Sequence, residues 1–321
     1  MSIPPRLAFA LALTVSCLSG HVLAQGFPAK PIRLLAYSGG AVEALMRQVG
    51  QEMQANWGQP LVWDNRPGAN GMIAGEACAR ANADGYTLCM VAPSFLVLPL
   101  TNVRVPFDLG KDFAPVTNVV YTVLGLAVHP SLGANNLKDL VAVARNRPGQ
   151  LNVASLGPAT ITNELRAWME KEYRISMTQI LYKNPGALMT SLLAGETHMT
   201  YFGLANFTQH HATGKLRVIA TNGAQRSPLL PDVPTMFEQG VGIDTRVWFG
   251  WLSPSATPKD VREKLYREVQ RIVNIPGFKE KNLTAQAMEP IASSPDEFAQ
   301  FLKADTASQT ELLKLSGVRP E

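Results

Sequence analysis

Leu34-Leu35-Ala36-Tyr37-Ser38-Gly39-Gly40-Ala41-Val42-Glu43 reads as the end of a strand, a glycine turn and the start of a helix. Ile32 to Ala36 is an apolar run of strand length, and Leu45, Met46 and Val49 continue beyond the turn at helical spacing. A strand that feeds a Gly-Gly turn into a helix leaves backbone N–H groups unpaired at the helix N-terminus, where the dipole is positive. Such a turn is either a plain connection or a seat for an anion. Which of the two it is depends on what the remaining chain sets against it.

The same alternation continues on both sides. Residues 30–36 make a first strand and 41–55 a first helix; Pro60 to Asp64 is a second strand. Asn65-Arg66-Pro67-Gly68-Ala69-Asn70-Gly71 then carries turn residues at nearly every position. A helix over 71–81 and a strand from Tyr86 to Ala92 follow, and Val116 to Val120 and Thr122 to Val128 are β-rich runs. Beyond Pro130 a second series begins. Its helices span 136–146, 161–172, 185–194 and 205–213, and its strands 151–154, 178–181, 197–202 and 216–221. Trp248 to Ser253 is a late extended run, and helices over 258–273 and 295–315 each open on a Thr-Pro or Ser-Pro pair that fits an N-cap with Pro at N1. Strands alternating with helices across short turns predict an α/β fold, a parallel sheet flanked by helices. Each series holds a Ser/Gly turn between a strand and a helix, at 37–40 and at 155–160. Two such turns facing one cleft would trap an anionic solute from both sides.

Composition narrows the function. The chain has 321 residues, 46% hydrophobic and 17% charged, with a net charge of +4 and no Lys/Arg run. That is an ordinary globular composition, and it excludes a nucleic-acid track. Arg6, the apolar run Leu7 to Leu18 and the small residues Val22-Leu23-Ala24 read as a signal peptide over 1–24, cut before Gln25, which places the mature protein in the periplasm. An uncleaved anchor or lipidation at Cys17 competes, but Thr14-Val15-Ser16 is a poor lipobox. Of three cysteines, Cys78 and Cys89 remain after such a cut. They either pair in an oxidising compartment or fill a core as small hydrophobes.

Catalytic signatures do not emerge. There is no G-x-S-x-G elbow, since Ala154-Ser155-Leu156-Gly157 lacks the first Gly, and no phosphate loop or dinucleotide fingerprint. His129, His198, His210 and His211 lack metal-ligand spacing. No catalytic residue, metal or cofactor is expected, and the reading is a non-enzyme.

A set of short motifs then carries a family resemblance. Lys30-Pro31-Ile32-Arg33-Leu34, Asn65-Arg66-Pro67-Gly68-Ala69, Asp84-Gly85-Tyr86-Thr87-Leu88 and Lys111-Asp112-Phe113-Ala114-Pro115-Val116 run through the first part. Arg147-Pro148-Gly149-Gln150-Leu151, Leu230-Pro231-Asp232-Val233-Pro234-Thr235 and Trp248-Phe249-Gly250 follow in order. Together they resemble the periplasmic solute receptors of tripartite tricarboxylate transporters, the Bug receptors. The resemblance implies a two-lobed, type II-like periplasmic-binding-protein fold with two crossovers, one lobe from 26–127 plus 248–321 and the other from 128–247. It also implies that a small carboxylated solute is gripped between the lobes. Tyr37, Ser38, Gly39, Gly40 and Ser94 would form one grip; Ser155, Gly157, Thr160 and Tyr182 would form the other. The protein would be a monomer that closes on its solute and delivers it to the membrane subunits of a transporter; a receptor docking on a membrane sensor kinase is the alternative.

Departures from the family pattern leave the solute open. Glu43 replaces the usual Asp of the first turn, Ala159 replaces a Gly of the second, and Asn163 stands where a His is usual. Asn184 replaces a Gly, and Phe202-Gly203 lacks an Asp common in amino-acid-binding members.

Overall fold

The computed structural model describes residues 26–37, 41–68, 71–101, 104–157, 160–242 and 245–316. The expected signal peptide and its cut before Gln25 lie outside the described residues, as do Ser38, Gly39 and Gly40 of the first turn and Pro158 and Ala159 of the second.

In chain order the first series is β1 (Ile32–Ala36), α1 (Ala41–Trp57), β2 (Leu61–Asn65), α2 (Met72–Ala79), β3 (Thr87–Val91), α3 (Pro93–Leu96) and β4 (Phe113–Thr122). The second is β5 (Leu124–Val128), α4 (Leu137–Asn146), β6 (Asn152–Ser155), α5 (Ile161–Tyr173), β7 (Thr178–Leu181), α6 (Pro185–Ala194), β8 (Met199–Gly203), α7 (Thr208–Ala212) and β9 (Arg217–Thr221). The chain then returns as β10 (Val247–Pro254), α8 (Lys259–Val273), β11 (Met288–Pro290) and α9 (Pro295–Ser316). The strands form two sheets, one ordered β11-β4-β10-β3-β1-β2 and the other β7-β6-β8-β5-β9. The α/β two-lobed architecture expected from the sequence is therefore present.

Strand pairing refines the expected boundaries. Thr122 ends β4 in the first sheet and Leu124 begins β5 in the second, so the chain passes between sheets at Val123, ahead of the 127/128 position read from the sequence. It returns at Val247, where β10 enters antiparallel between β3 and β4. The sheets are mixed for this reason. β1 pairs in parallel with β2 and β3, β6 with β7 and β8, and strands flanking the two crossings run antiparallel.

Alternation along β1 explains its central position. Ile32, Leu34 and Ala36 pack into one core with Met46 and Val49 of α1 and Leu265 and Val269 of α8. Leu35 points the other way, into a second core with Phe95, Phe113, Trp248 and Phe298. The second sheet is likewise covered on both faces. Gly250 in the Trp-Phe-Gly motif has a packing reason: a Cβ there would lie 2.4 Å from the Phe298 ring of α9.

Several local expectations change. Cys78 of α2 and Cys89 of β3 are joined by a disulfide, which resolves the open choice. Thr257 does not cap α8, because Pro258 occupies the N-cap and the Thr257 hydroxyl is buried without a partner. Ser294 does cap α9: its Oγ accepts from the Glu297 N–H, and its own backbone N–H donates to the Glu297 carboxylate at 2.8 Å, a capping box. The helix expected over 205–213 is a turn of 3₁₀ helix, Leu204–Asn206, followed by α7. No helix of the described residues is long and apolar enough to cross a membrane.

Candidate solute-binding cleft

A cavity of about 490 Å³ opens between the two sheets, lined from both. From the first lobe come Tyr37 at the end of β1, Ser94 in α3, and Phe249 of β10; from the second come Leu156, Thr160, Ile161, Glu164 and Phe202. Thr162 of the second lobe, Arg246, in the returning crossover, and Gln309, in α9, complete its polar lining.

The first-lobe wall is held by aromatic packing. Phe95 stacks 5.4 Å from Phe107 and lies edge-on to Phe113 at 5.8 Å, and the Tyr37 ring stacks on Phe95 at 6.4 Å. Tyr37 Oη lies 3.4 Å from Ser94 Oγ. Burial pushes the Tyr37 phenol up to about 12, against the opposing pull of its hydrogen bonds to Ser94 and the Ala92 backbone. It therefore stays a neutral O–H at any ordinary pH. The backbone at Gly71, with φ of 96°, lies close against this ring; a Cβ there would sit 2.7 Å from Tyr37 Cδ1.

The second-lobe wall is the turn from β6 into α5. Ser155 Oγ lies 2.8 Å from Thr160 Oγ1 and 2.9 Å from the Gly157 carbonyl oxygen, to which Thr160 Oγ1 also donates at 3.0 Å. Gln179 Nε2 donates to the same carbonyl at 3.2 Å. Thr160 is the N-cap of α5 and its side chain makes no cap bond, while its carbonyl accepts from the Asn163 and Glu164 N–H groups.

The expected grip residues thus fall into three groups. Tyr37, Ser94 and Thr160 line the cavity. Ser155 is fully buried, and with Gly157 it braces the turn that presents Thr160. Tyr182 stands apart: its hydroxyl donates to Ser191 Oγ at 2.5 Å, inside the second lobe, and it is not among the residues lining the cavity. Ser38, Gly39 and Gly40 lie outside the described residues.

Two charged residues of the cleft escaped the sequence reading. Arg246 lies over the Tyr121 ring at 4.5 Å and faces Glu289, whose carboxyl is raised by burial and pulled back by the Arg246 charge. Glu164 is nine-tenths buried, and among the described residues no hydrogen bond or ion pair reaches its carboxylate. Burial, with the Asp305 charge on α9 as a second cause, pushes Glu164 from 4.5 up to about 7. The signal available in the sequence was an acidic residue within the buried stripe of α5, beside Leu165 and Trp168. Asn163, noted as a departure, turns to Arg166 and accepts from its Nε at 2.9 Å. Among the described residues no His/Cys/Asp/Glu group could hold a metal ion.

Known proteins resemble this chain along most of its length. Residues 45–318 match the family model described as "Tripartite tricarboxylate transporter family receptor". A curated relative, a UPF0065 protein of Bordetella bronchiseptica, is 29% identical over 300 residues, covering 92% of this chain and 89% of its own. Among solved structures, R. palustris Rpa4515 with adipate has a TM-score of 0.78 and 26% identity, covering 92% of this chain and 100% of that one. The periplasmic binding protein BugD has a TM-score of 0.74 and 25% identity, again covering 92% and 100%. A two-lobed α/β chain with a cleft between its sheets, matched along most of its length, belongs to the tripartite tricarboxylate transporter family of solute-binding receptors.

Proposed function

We propose that the protein is an exported receptor that closes its lobes on a small carboxylated solute and delivers it to the membrane subunits of a tripartite tricarboxylate-type transporter. The observation that carries this reading is the cleft itself. Hydroxyls from both lobes, Tyr37, Ser94 and Thr160, line one cavity, with Arg246 as its cation among the described lining residues. Hydroxyls and helix N–H groups solvate a carboxylate without a buried cation at every contact. Rpa4515, solved with adipate, is a structural neighbour that supports a carboxylate as the solute. Export to the periplasm rests on the leader-like residues 1–24 and on the likeness to BugD. Two lobes joined by two crossings can hinge, and a solute touching both stabilises the closed form. No step of bond making or breaking is part of this function.

The test is a thermal-shift titration of the mature protein with mono- and dicarboxylates. At a hundredfold excess over Kd, a solute that binds only the folded state adds about 2.7 kcal/mol. Ser94→Ala combined with Thr160→Ala should remove the shift, with a loss of unliganded stability of no more than about 2 kcal/mol, the worth of the hydrogen bonds Thr160 makes to Ser155 and Gly157. No shift across the panel would overturn the carboxylate reading; a large loss of unliganded stability would make these residues structural.

A further inference from the structure

Glu164 is hard to reconcile with a cleft built for anions alone. It sits in the first turns of α5, lines the cavity, and is nine-tenths buried with no hydrogen bond or ion pair to its carboxylate among the described residues. Nearby cations are committed elsewhere or lie apart. Arg166, on the same helix, pairs with Glu170 at 2.5 Å and donates to Asn163. Arg246 packs over Tyr121 and faces Glu289. The charge that does act on Glu164 is Asp305 of α9, which has the same sign and comes from the opposite lobe. Asp305 is itself buried, accepting from Trp248 Nε1 at 2.7 Å and Gln309 Nε2 at 3.3 Å. A buried carboxylate without a partner is costly, and a second one across the cleft adds repulsion. Much of the remaining cavity wall is apolar or aromatic, with Ile161, Phe202, Phe249 and Leu313, while Thr162 donates its hydroxyl to the Tyr201 carbonyl.

We propose that Glu164 is the residue that selects the solute: it pairs with a cationic nitrogen at the far end of an apolar carboxylate, so that the cleft takes an ω-amino carboxylate in preference to a dicarboxylate. This rests on the reading of the cleft as a carboxylate receptor. The carboxylate end meets the hydroxyls of Tyr37, Ser94 and Thr160, the chain crosses the apolar wall, and the ammonium lies against Glu164. A cation at that point also lies in the field of Asp305, so one group relieves the repulsion between the lobes and favours closure. A dicarboxylate would bring a further negative charge to the same place, and rejection of it follows from repulsion as much as from lost pairing.

The experiment is calorimetric titration of the mature protein with matched chains: ε-aminocaproate, adipate and caproate, and the shorter δ-aminovalerate and glutarate. Wild type should bind the better of the two amino carboxylates at least about tenfold more tightly than the dicarboxylate of equal length. Glu164→Gln, which keeps the side-chain shape and removes the buried charge, should abolish or reverse that order. Glu164→Asp should keep the order with a weaker preference. A dicarboxylate ahead in wild type, or an unchanged order in Glu164→Gln, overturns the proposal and leaves the carboxylate-receptor reading standing. Binding by none of these compounds overturns both.

Discussion

Glu164 makes a pH prediction that does not depend on any solute. Its carboxyl titrates near 7 in the folded protein against 4.5 ordinarily, so the folded state holds the proton more tightly than the unfolded chain. Stability from this group is full below about 4.5, falls as pH rises through the interval and is lost above about 7. The whole span is worth about 3 kcal/mol. His198 and His211 have pKa values lowered by burial and contribute in the opposite sense. The difference between wild type and Glu164→Gln therefore isolates the carboxylate. Urea unfolding across the interval should show that difference growing with pH in favour of the variant. Two parallel curves would mean that Glu164 is solvated in solution.

At the scale of elements, the disulfide fastens α2 to β3 behind the Tyr37 wall, where both sulfurs are buried in the core that holds Phe95. The half-cystines are 11 residues apart, and closing a loop of that length restricts the unfolded chain by about 3 kcal/mol. Cys78→Ala with Cys89→Ala should lose about that much in urea unfolding while solute affinity changes little, because neither sulfur lines the cavity. Equal stability of the oxidised and substituted proteins would refute it. The elements themselves were legible wherever local patterning was strong. The apolar run of β1 before a glycine turn, and helices 161–172 and 185–194, lie where the spacing put them. What was not legible depends on distant pairing. Nothing near Trp248 says that β10 enters between β3 and β4, and nothing near Met288 marks so short an edge strand as β11. Tyr182, which the family resemblance places in the second grip, donates its hydroxyl to Ser191, nine residues on, a pairing that local sequence does not announce. Glu164 was missed for a like reason. A carboxylate in a helix ordinarily faces water, whereas α9 of the other lobe packs on the helix that carries this buried one.

That approach joins the two lobes into one energetic unit. α9 belongs to the first lobe by its packing: Phe298 lies edge-on to Trp248 at 5.5 Å, and Asp305 takes the Trp248 N–H. The same helix touches α5 of the second lobe, which brings Asp305 into the field of Glu164. Same-sign charges on opposite lobes favour separation, whereas the packing of α9 on α5 favours contact. A solute that neutralises one charge tips this balance toward closure. The coupling can be read from a double-mutant cycle of Glu164→Gln and Asp305→Asn, since Asn keeps the oxygen that accepts from Trp248. About one pH unit above the Glu164 midpoint, the non-additive part of the unfolding free energy should be about 1 kcal/mol, because each substitution relieves the same repulsion. At a pH well below the midpoint the protonated Glu164 no longer repels, and the two effects should add. Additivity at both pH values would show that the lobes do not sense each other through this pair.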